Sequence, residues 1–406
     1  MRTHQAVPKT AATSTLRAGR AVVLLALTAG AATAQPYTAP TQNALAGSRV
    51  FGAKGCNKCH AINGLGGTEG PDLARTPRSR TFYDLGAAMW NHLPAMVRRM
   101  EALAVEQPRL NAREAGDLIA FLYSQDFFDP PGNPERGKQI FTNKQCVRCH
   151  QVGGVGALIG PDLTVLGRLV APIEIATAMW NHGPNMIEAM KAERIERPRF
   201  SAQELNDLIT YIEAEDATVP AAPLHILPGS PEEGSRVFAE KGCANCHPVR
   251  GVGGGAAPDL ERGVATSMLG FAAAMWNKAP AMTATMRSRG IVVPQLSPGE
   301  MADVVGYLYS VKYFAQPGTS DAGRLLVSSR GCVQCHALMG RGGNGAPDLS
   351  AMQHLGTPAA VIAALWNHGL VARGSAEARS SWPTLKARDI ASLTEFLAAA
   401  PRRSRH

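Results

Sequence analysis

Cys56-Asn57-Lys58-Cys59-His60 decides how this chain reads, because the pattern returns three times. It recurs as Cys146-Val147-Arg148-Cys149-His150, as Cys243-Ala244-Asn245-Cys246-His247 and as Cys332-Val333-Gln334-Cys335-His336. Successive first cysteines are 90, 97 and 89 residues apart. A period of that size is long for a solenoid unit and suits a small domain with its own core. All 8 cysteines of the 406-residue chain fall in these motifs.

The residues around each motif repeat as well. Before it, a helical pattern places Gly four residues ahead of an apolar side chain: Gly47 and Phe51, Gly137 and Phe141, Gly234 and Phe238, Gly323 and Val327. After it comes a Gly-rich loop ending in Pro-Asp-Leu at Pro71, Pro161, Pro258 and Pro347. A Trp-Asn-His/Lys triplet follows at Trp90, Trp180, Trp276 and Trp366, inside an amphipathic helical stretch. Each unit closes on an apolar-periodic helix: Glu114–Ser124, Glu204–Ala214, Glu300–Ser310 and Asp389–Ala399. Breaker-rich links at Asp129–Gly132, Ala217–Pro231 and Gln316–Gly318 set domain bounds of 45–128, 133–216, 231–315 and 320–400. No alternating strand pattern of useful length occurs, so the expected class is all-α with long loops. The long third-unit approach, Ala217–Pro231, hints at a two-plus-two arrangement.

Cys-x-x-Cys-His reads as a covalent haem-attachment motif. Two thiols three residues apart reach the two vinyl groups of one haem, and the adjacent histidine projects to its iron. The rival chemistries fit worse. Zinc needs two cysteine pairs brought together, and these pairs are about 90 residues apart in separate units. A thioredoxin-like motif expects a strand–helix context, and a disulfide within each motif leaves four histidines unexplained. The cofactor expectation is four haem c groups, bound by Cys56, Cys59, Cys146, Cys149, Cys243, Cys246, Cys332 and Cys335, with His60, His150, His247 and His336 on the irons.

On these motifs each unit resembles a class I cytochrome c domain, four in tandem. The resemblance implies that the first and last helices of a unit cross at the Gly and Phe of the first. It implies Phe121, Tyr211, Tyr307 and Phe396 as aromatic partners in the last. It also implies that the loop proline, 11 residues after the motif histidine in every unit, supplies the carbonyl that fixes the histidine's tautomer. Class I domains bring a methionine from the loop before the last helix as second axial ligand, which raises the haem potential. Met100, Met190 and Met286 are expected in that role over Met96, Met186 and Met282, with Met89, Met179 and Met275 in the core. Ile195 and Ile291 follow five residues after their methionines, a spacing similar to mitochondrial-type cytochromes c.

Unit 4 departs from the pattern, because no methionine follows His368. Its iron is expected to be open or unusually ligated, with His368 and His354 the nearest imidazoles. His92 and His182 stand where His368 does in units that have methionine, so this histidine reads first as a helix-opening residue. The tryptophans read as pocket wall.

Arg2, Lys9, Arg17 and Arg20 precede an apolar run from Ala21 to Ala32, and Ala32-Thr33-Ala34 has the small-x-small form of a cleavage site. Residues 1–34 are expected to be a secretory signal peptide, giving a periplasmic product with no membrane span after cleavage. The formal charge of +9 falls to about +5 without the leader. Propionates and ferric irons of four haems return it to about +1, so nucleic acid is not an expected partner. The expected function is electron transfer between redox partner proteins, as a free tetrahaem cytochrome or as a haem subunit of a larger complex. An enzyme or gas sensor working through an open fourth haem is the remaining alternative.

Overall fold

The computed structural model describes residues 41–75, 81–125, 129, 132–166, 172–215, 229–263, 267–315, 318–368 and 382–399. The leader expected over residues 1–34 and most of the link between the second and third units lie outside the described residues. Repeat 1 contains helices α1 (Ala44–Ala53), α2 (Phe82–Ala102) and α3 (Ala112–Ser124). Repeat 2 contains α4 (Pro134–Asn143), the single turn α5 (Leu163–Leu166), α6 (Pro172–Ala192) and α7 (Ala202–Ala214). Repeat 3 contains α8 (Pro231–Glu240), the single turn α9 (Leu260–Gly263), α10 (Met268–Ser288) and α11 (Pro298–Ser310). Repeat 4 contains α12 (Ser320–Ser329), α13 (Pro358–Trp366) and α14 (Ala387–Ala399). Among the described residues, extended structure is confined to isolated bridges and two-residue antiparallel hairpins such as Ala61–Ile62 with Leu65–Gly66. The class is all-α.

Local sequence explains where the helices begin. Asn111, Ser201 and Ser297 cap α3, α7 and α11, each in a reciprocal box with the glutamate three residues on. The box satisfies amide groups that the first turn leaves without partners. It also starts these helices two residues ahead of the apolar pattern. Within each repeat the first and last helices then cross. At the crossing, a methyl group on Gly47, Gly137, Gly234 or Gly323 would overlap the backbone carbonyl of Asp117, Asp207, Asp303 or Ser392. Glycine is needed there for close approach. One turn further along, Phe51 meets Phe121, Phe141 meets Tyr211 and Phe238 meets Tyr307, with ring centres 5.6, 6.0 and 5.6 Å apart. In repeat 4 Val327 and Phe396 share the same core.

The tryptophans do not act as simple pocket wall. Trp90 Nε1 donates to the Pro383 carbonyl of repeat 4 at 2.6 Å, and Asn91 exchanges two hydrogen bonds with the Leu385 backbone at 2.8 and 2.9 Å. Repeat 4 returns the same set: Trp366 Nε1 to Pro108 O at 2.7 Å, and Asn367 with the Leu110 backbone at 2.9 and 3.1 Å. Repeats 2 and 3 are tied identically. Trp180 reaches Pro294 and Asn181 reaches Leu296, while Trp276 reaches Pro198 and Asn277 reaches Phe200.

Proline inside the long helices serves this tie. Pro94, Pro184 and Pro280 lie four residues after the tryptophan. A proline has no N–H to give the carbonyl four residues back. Trp90 O is instead reached by Trp382 Nε1 at 3.1 Å, and Trp276 O by Arg197 Nη2 at 2.6 Å. In repeat 4 helix α13 simply stops at Trp366, whose carbonyl accepts from Gln107 Nε2 at 3.0 Å.

Repeats 1 and 3 meet through the ends of their last helices. Tyr123 Oη donates to Tyr309 O at 2.9 Å, and the Phe82 amide donates to Tyr313 O at 2.8 Å. The hydrogen-bonded order is therefore 4-1-3-2. This corrects the arrangement that link length hinted at: the longest link joins the two members of one pair rather than separating two halves.

Candidate haem sites

Each Cys-x-x-Cys-His segment is folded by the same backbone device. Gly55, Gln145, Gly242 and Gly331, at φ of 73°, 63°, 77° and 78°, end the first helix in a left-handed turn. A single 3-10 turn follows, and the histidine amide closes it onto the first cysteine's carbonyl at 2.9 Å in all four repeats. This turn holds the two thiols and the imidazole of a repeat in one short stretch. No disulfide joins these cysteines.

The imidazoles are fixed as the spacing implied. Nδ1 of His60, His150, His247 and His336 lies 3.0, 2.9, 3.0 and 2.7 Å from the carbonyl oxygen of Pro71, Pro161, Pro258 and Pro347. An Nδ1 facing a carbonyl must carry the proton, so Nε2 keeps its lone pair for a metal. The loop that brings the proline back bends at Gly66, Gly156, Gly253 and Gly342, with φ of 134°, 118°, 128° and 117°, which a side chain would strain.

The aspartate of Pro-Asp-Leu ties this loop. Asp72 accepts from the amides of Asn63, Gly64 and Ala74, at 3.1, 2.8 and 3.1 Å. Asp259 and Asp348 repeat the arrangement. In repeat 2 the Thr164 hydroxyl takes over the bond to the hairpin, accepting from Gly153 N at 2.8 Å. In repeat 4 the Ser350 hydroxyl, then the amides of Gly340, Ser350 and Met339, hold the Asp348 carboxyl below its ordinary range.

The first cysteine of each motif is buried enough to disfavour its thiolate. Burial pushes Cys56, Cys146 and Cys243 up to about 11, and Cys332 upward as well. A redox-active or nucleophilic cysteine needs the opposite shift. Among the described residues no group of three or more His, Cys, Asp or Glu side chains gathers as a metal cage. Thiol pair, oriented imidazole and glycine-opened loop fit a covalently held haem.

More than half of the chain, in the stretches 44–126, 134–215 and 231–312, matches the family model Cytochrome c. The chain belongs to the cytochrome c family. As cytochrome c domains, the matched repeats bind haem and transfer electrons. No curated protein matches the chain. The matched stretches end at residue 312, yet the fourth repeat of this cytochrome carries the same turn, histidine–proline bond and helix crossing.

The methionines stand differently from the expectation. Met89, Met96 and Met100 lie along one face of α2, and Met100 is in its last turn rather than in a loop. The same holds for Met190 in α6 and Met286 in α10. The five-residue interval to Ile195 and Ile291 has a local cause. Ile195 N donates to Met190 O and Ile291 N to Met286 O, both at 2.8 Å, and Val105 N does so to Met100 O. Arg194, Gly290 and Ala104 just before them are left-handed. This is the six-to-one bond that closes a helix end. All nine side chains are half-buried against the cores that also hold the first cysteines.

Proposed function

We propose that this chain is an exported, periplasmic tetrahaem c-type cytochrome that passes electrons between redox partner proteins. The observation that carries the reading is the fourfold recurrence of cysteine pair, left-handed turn and carbonyl-bound imidazole, which includes the repeat outside the matched stretches. The leader-like residues 1–34 support export, and among the described residues no helix is long and apolar enough to cross a membrane.

When bound, each haem supplies a one-electron iron couple; the chain's own residues set its environment. Each thiol pair anchors the porphyrin edge. The proline carbonyl holds Nδ1–H, so the imidazole keeps its orientation through a change of iron charge. Met100, Met190 and Met286 are the second ligands of repeats 1 to 3 in this reading, and thioether ligation favours the reduced iron. Met96, Met186 and Met282 line the same face one turn away as soft, apolar filler.

Intact mass and haem stoichiometry of the exported protein test the proposal. Four haems and a start after Ala34 are expected. Replacing both cysteines of any one motif by alanine should remove one haem and leave three. A wild-type protein with three haems would overturn the reading of repeat 4, and a colourless one would overturn the whole.

A further inference from the structure

Repeat 4 has lost every methionine of the stripe. Aligned on tryptophan, Met89, Met96 and Met100 correspond to Leu365, Ala372 and Ala376. Its two earlier methionines are placed elsewhere. Met339 is exposed on the hairpin turn, and Met352 packs with Leu355 and Val361 in the apolar core. His354 is exposed.

His368 is the exception. Helix α13 ends at Trp366, and the amides of Asn367 and His368 close onto Ala363 and Leu365 at 3.0 and 3.1 Å. The His368 ring, half-buried, has its centre 5.9 Å from that of His336, with the planes at 49°. Two imidazoles sharing one metal place their ring centres about 6 Å apart, since each nitrogen–metal bond is about 2.0–2.1 Å and the ring centre sits about 1 Å behind the nitrogen. Both rings have committed the other nitrogen: His336 Nδ1 to Pro347 O at 2.7 Å and His368 Nδ1 to Ala364 O at 2.7 Å. Each therefore offers an unprotonated Nε2.

The chain contains its own controls. His92 follows Trp90-Asn91 as His368 follows Trp366-Asn367, and His92 Nδ1 makes the same bond to Ala88 O at 2.8 Å. Yet His92 and His182 are exposed, and among the described residues neither ring contacts its motif histidine. In those repeats the helix continues past the histidine to Ala102 and Ala192, carrying the methionines. Among the described residues, the imidazole comes within contact of its motif histidine only in repeat 4, where the helix stops at Trp366. Trp90 of repeat 1 meets the His368 ring edge-on, with centres 5.9 Å apart, and is itself anchored to Pro383 O.

We propose that His368 is the sixth ligand of the repeat 4 haem iron, giving a bis-histidine centre with His336, and that Trp90 is its positioning residue. This rests on the haem reading of repeat 4. It replaces the expectation that His368 opens a helix, and it closes the iron on which an enzyme or gas-sensor reading depended.

The test uses the exported holoprotein, with haem count measured in every sample. The wild type should hold four haems, all low-spin, and bind no carbon monoxide. His368→Ala should keep four haems but turn one of them high-spin, with one equivalent of carbon monoxide bound, and added imidazole should restore the low-spin spectrum. His368→Met should stay low-spin and raise the potential of one centre, because thioether ligation raises it. Trp90→Phe should show partial high-spin character at that same centre, which a purely structural role at the interface would not produce. A wild-type protein that binds carbon monoxide, or an alanine variant with four unchanged low-spin haems, overturns the assignment. A sample with three haems instead refutes the haem reading beneath it.

Discussion

Asn181→Ala tests the pairing of repeats at a single amide. Asn181 Nδ2 donates to Leu296 O at 2.7 Å and accepts from Leu296 N at 3.1 Å, across the contact between repeats 2 and 3. Leu296 is 6% exposed, so alanine leaves both of its backbone groups without a partner and with little water. Losing the bonds costs about 1 kcal/mol each, and an unsatisfied buried group costs about 1–3 kcal/mol. Allowing for overlap between these figures, opening at this tie should become about 2–4 kcal/mol easier. That corresponds to roughly 30- to 1,000-fold in equilibrium, since about 1.4 kcal/mol is a factor of ten. Native-state hydrogen exchange reads it directly. The Leu296 amide should lose protection by that factor, with a smaller loss at Phe200 on the reciprocal tie. Asn91→Ala should act instead at Leu385. Unchanged protection at Leu296, or loss of it on substitution of Asn91, would refute the 2·3 and 1·4 pairing.

Gly234→Val should drive a side chain into the Asp303 carbonyl at the α8–α11 crossing. Thermal melting of the holoprotein should show repeat 3 destabilised by about 1–3 kcal/mol or more. Trp382→Phe should leave Trp90 O with neither a helix donor nor an indole, costing about 1–3 kcal/mol, whereas an exposed tryptophan replaced by phenylalanine would cost almost nothing. Asp348 has a folded-state carboxyl held below its ordinary range, so the stability it contributes is full above the unfolded value, about 3.9, and is lost as pH falls through the folded one. Denaturation of Asp348→Asn should therefore differ from wild type near pH 6 and converge with it in strong acid.

What could be read from the sequence was what repeats at short range. Gly47 with Phe51, the capping glutamates and the 11-residue step from His60 to Pro71 each encode a contact within one repeat, and four copies make the pattern visible. The methionines were harder. Met190 and Ile195 are separated by the interval of a helix end, and that interval is the same whether the methionine faces a cofactor or not. The ties between repeats were hardest, because Trp90 and Pro383 are 293 residues apart. Their signal was nevertheless present. Proline stands 18 residues after tryptophan in three repeats and 17 in the fourth, always two residues before Leu or Phe, and asparagine always follows the tryptophan. Reading Trp90 as pocket wall explained the ring and left its N–H and the neighbouring Asn91 unused. Link length misled for a physical reason: it limits how far two repeats can separate and says nothing about which surfaces are complementary.

The proline at the fourth position after tryptophan joins these strands of the argument. In repeats 1 to 3 it lets the helix continue while leaving the tryptophan carbonyl without a helix donor, which a neighbour takes in repeats 1 and 3, so the same helix both pairs with another repeat and carries the methionine face. Repeat 4 has Leu370 at that position, and its helix ends at Trp366. The tie survives, because an ended helix also has a free carbonyl, and Gln107 takes it. The methionine face does not survive, because Leu365, Ala372 and Ala376 stand at its three positions. Loss of the methionines thus goes together with the approach of His368 to His336. Since thioether and imidazole ligands set different potentials, a relay ordered 4-1-3-2 would carry its outlying centre at one end, against repeat 1. Restoring only Ala376→Met should leave His368 on the iron, because the His368 ring already stands 5.9 Å from that of His336. A redox titration of that variant showing four similar centres would break the link between His368 and the outlying centre.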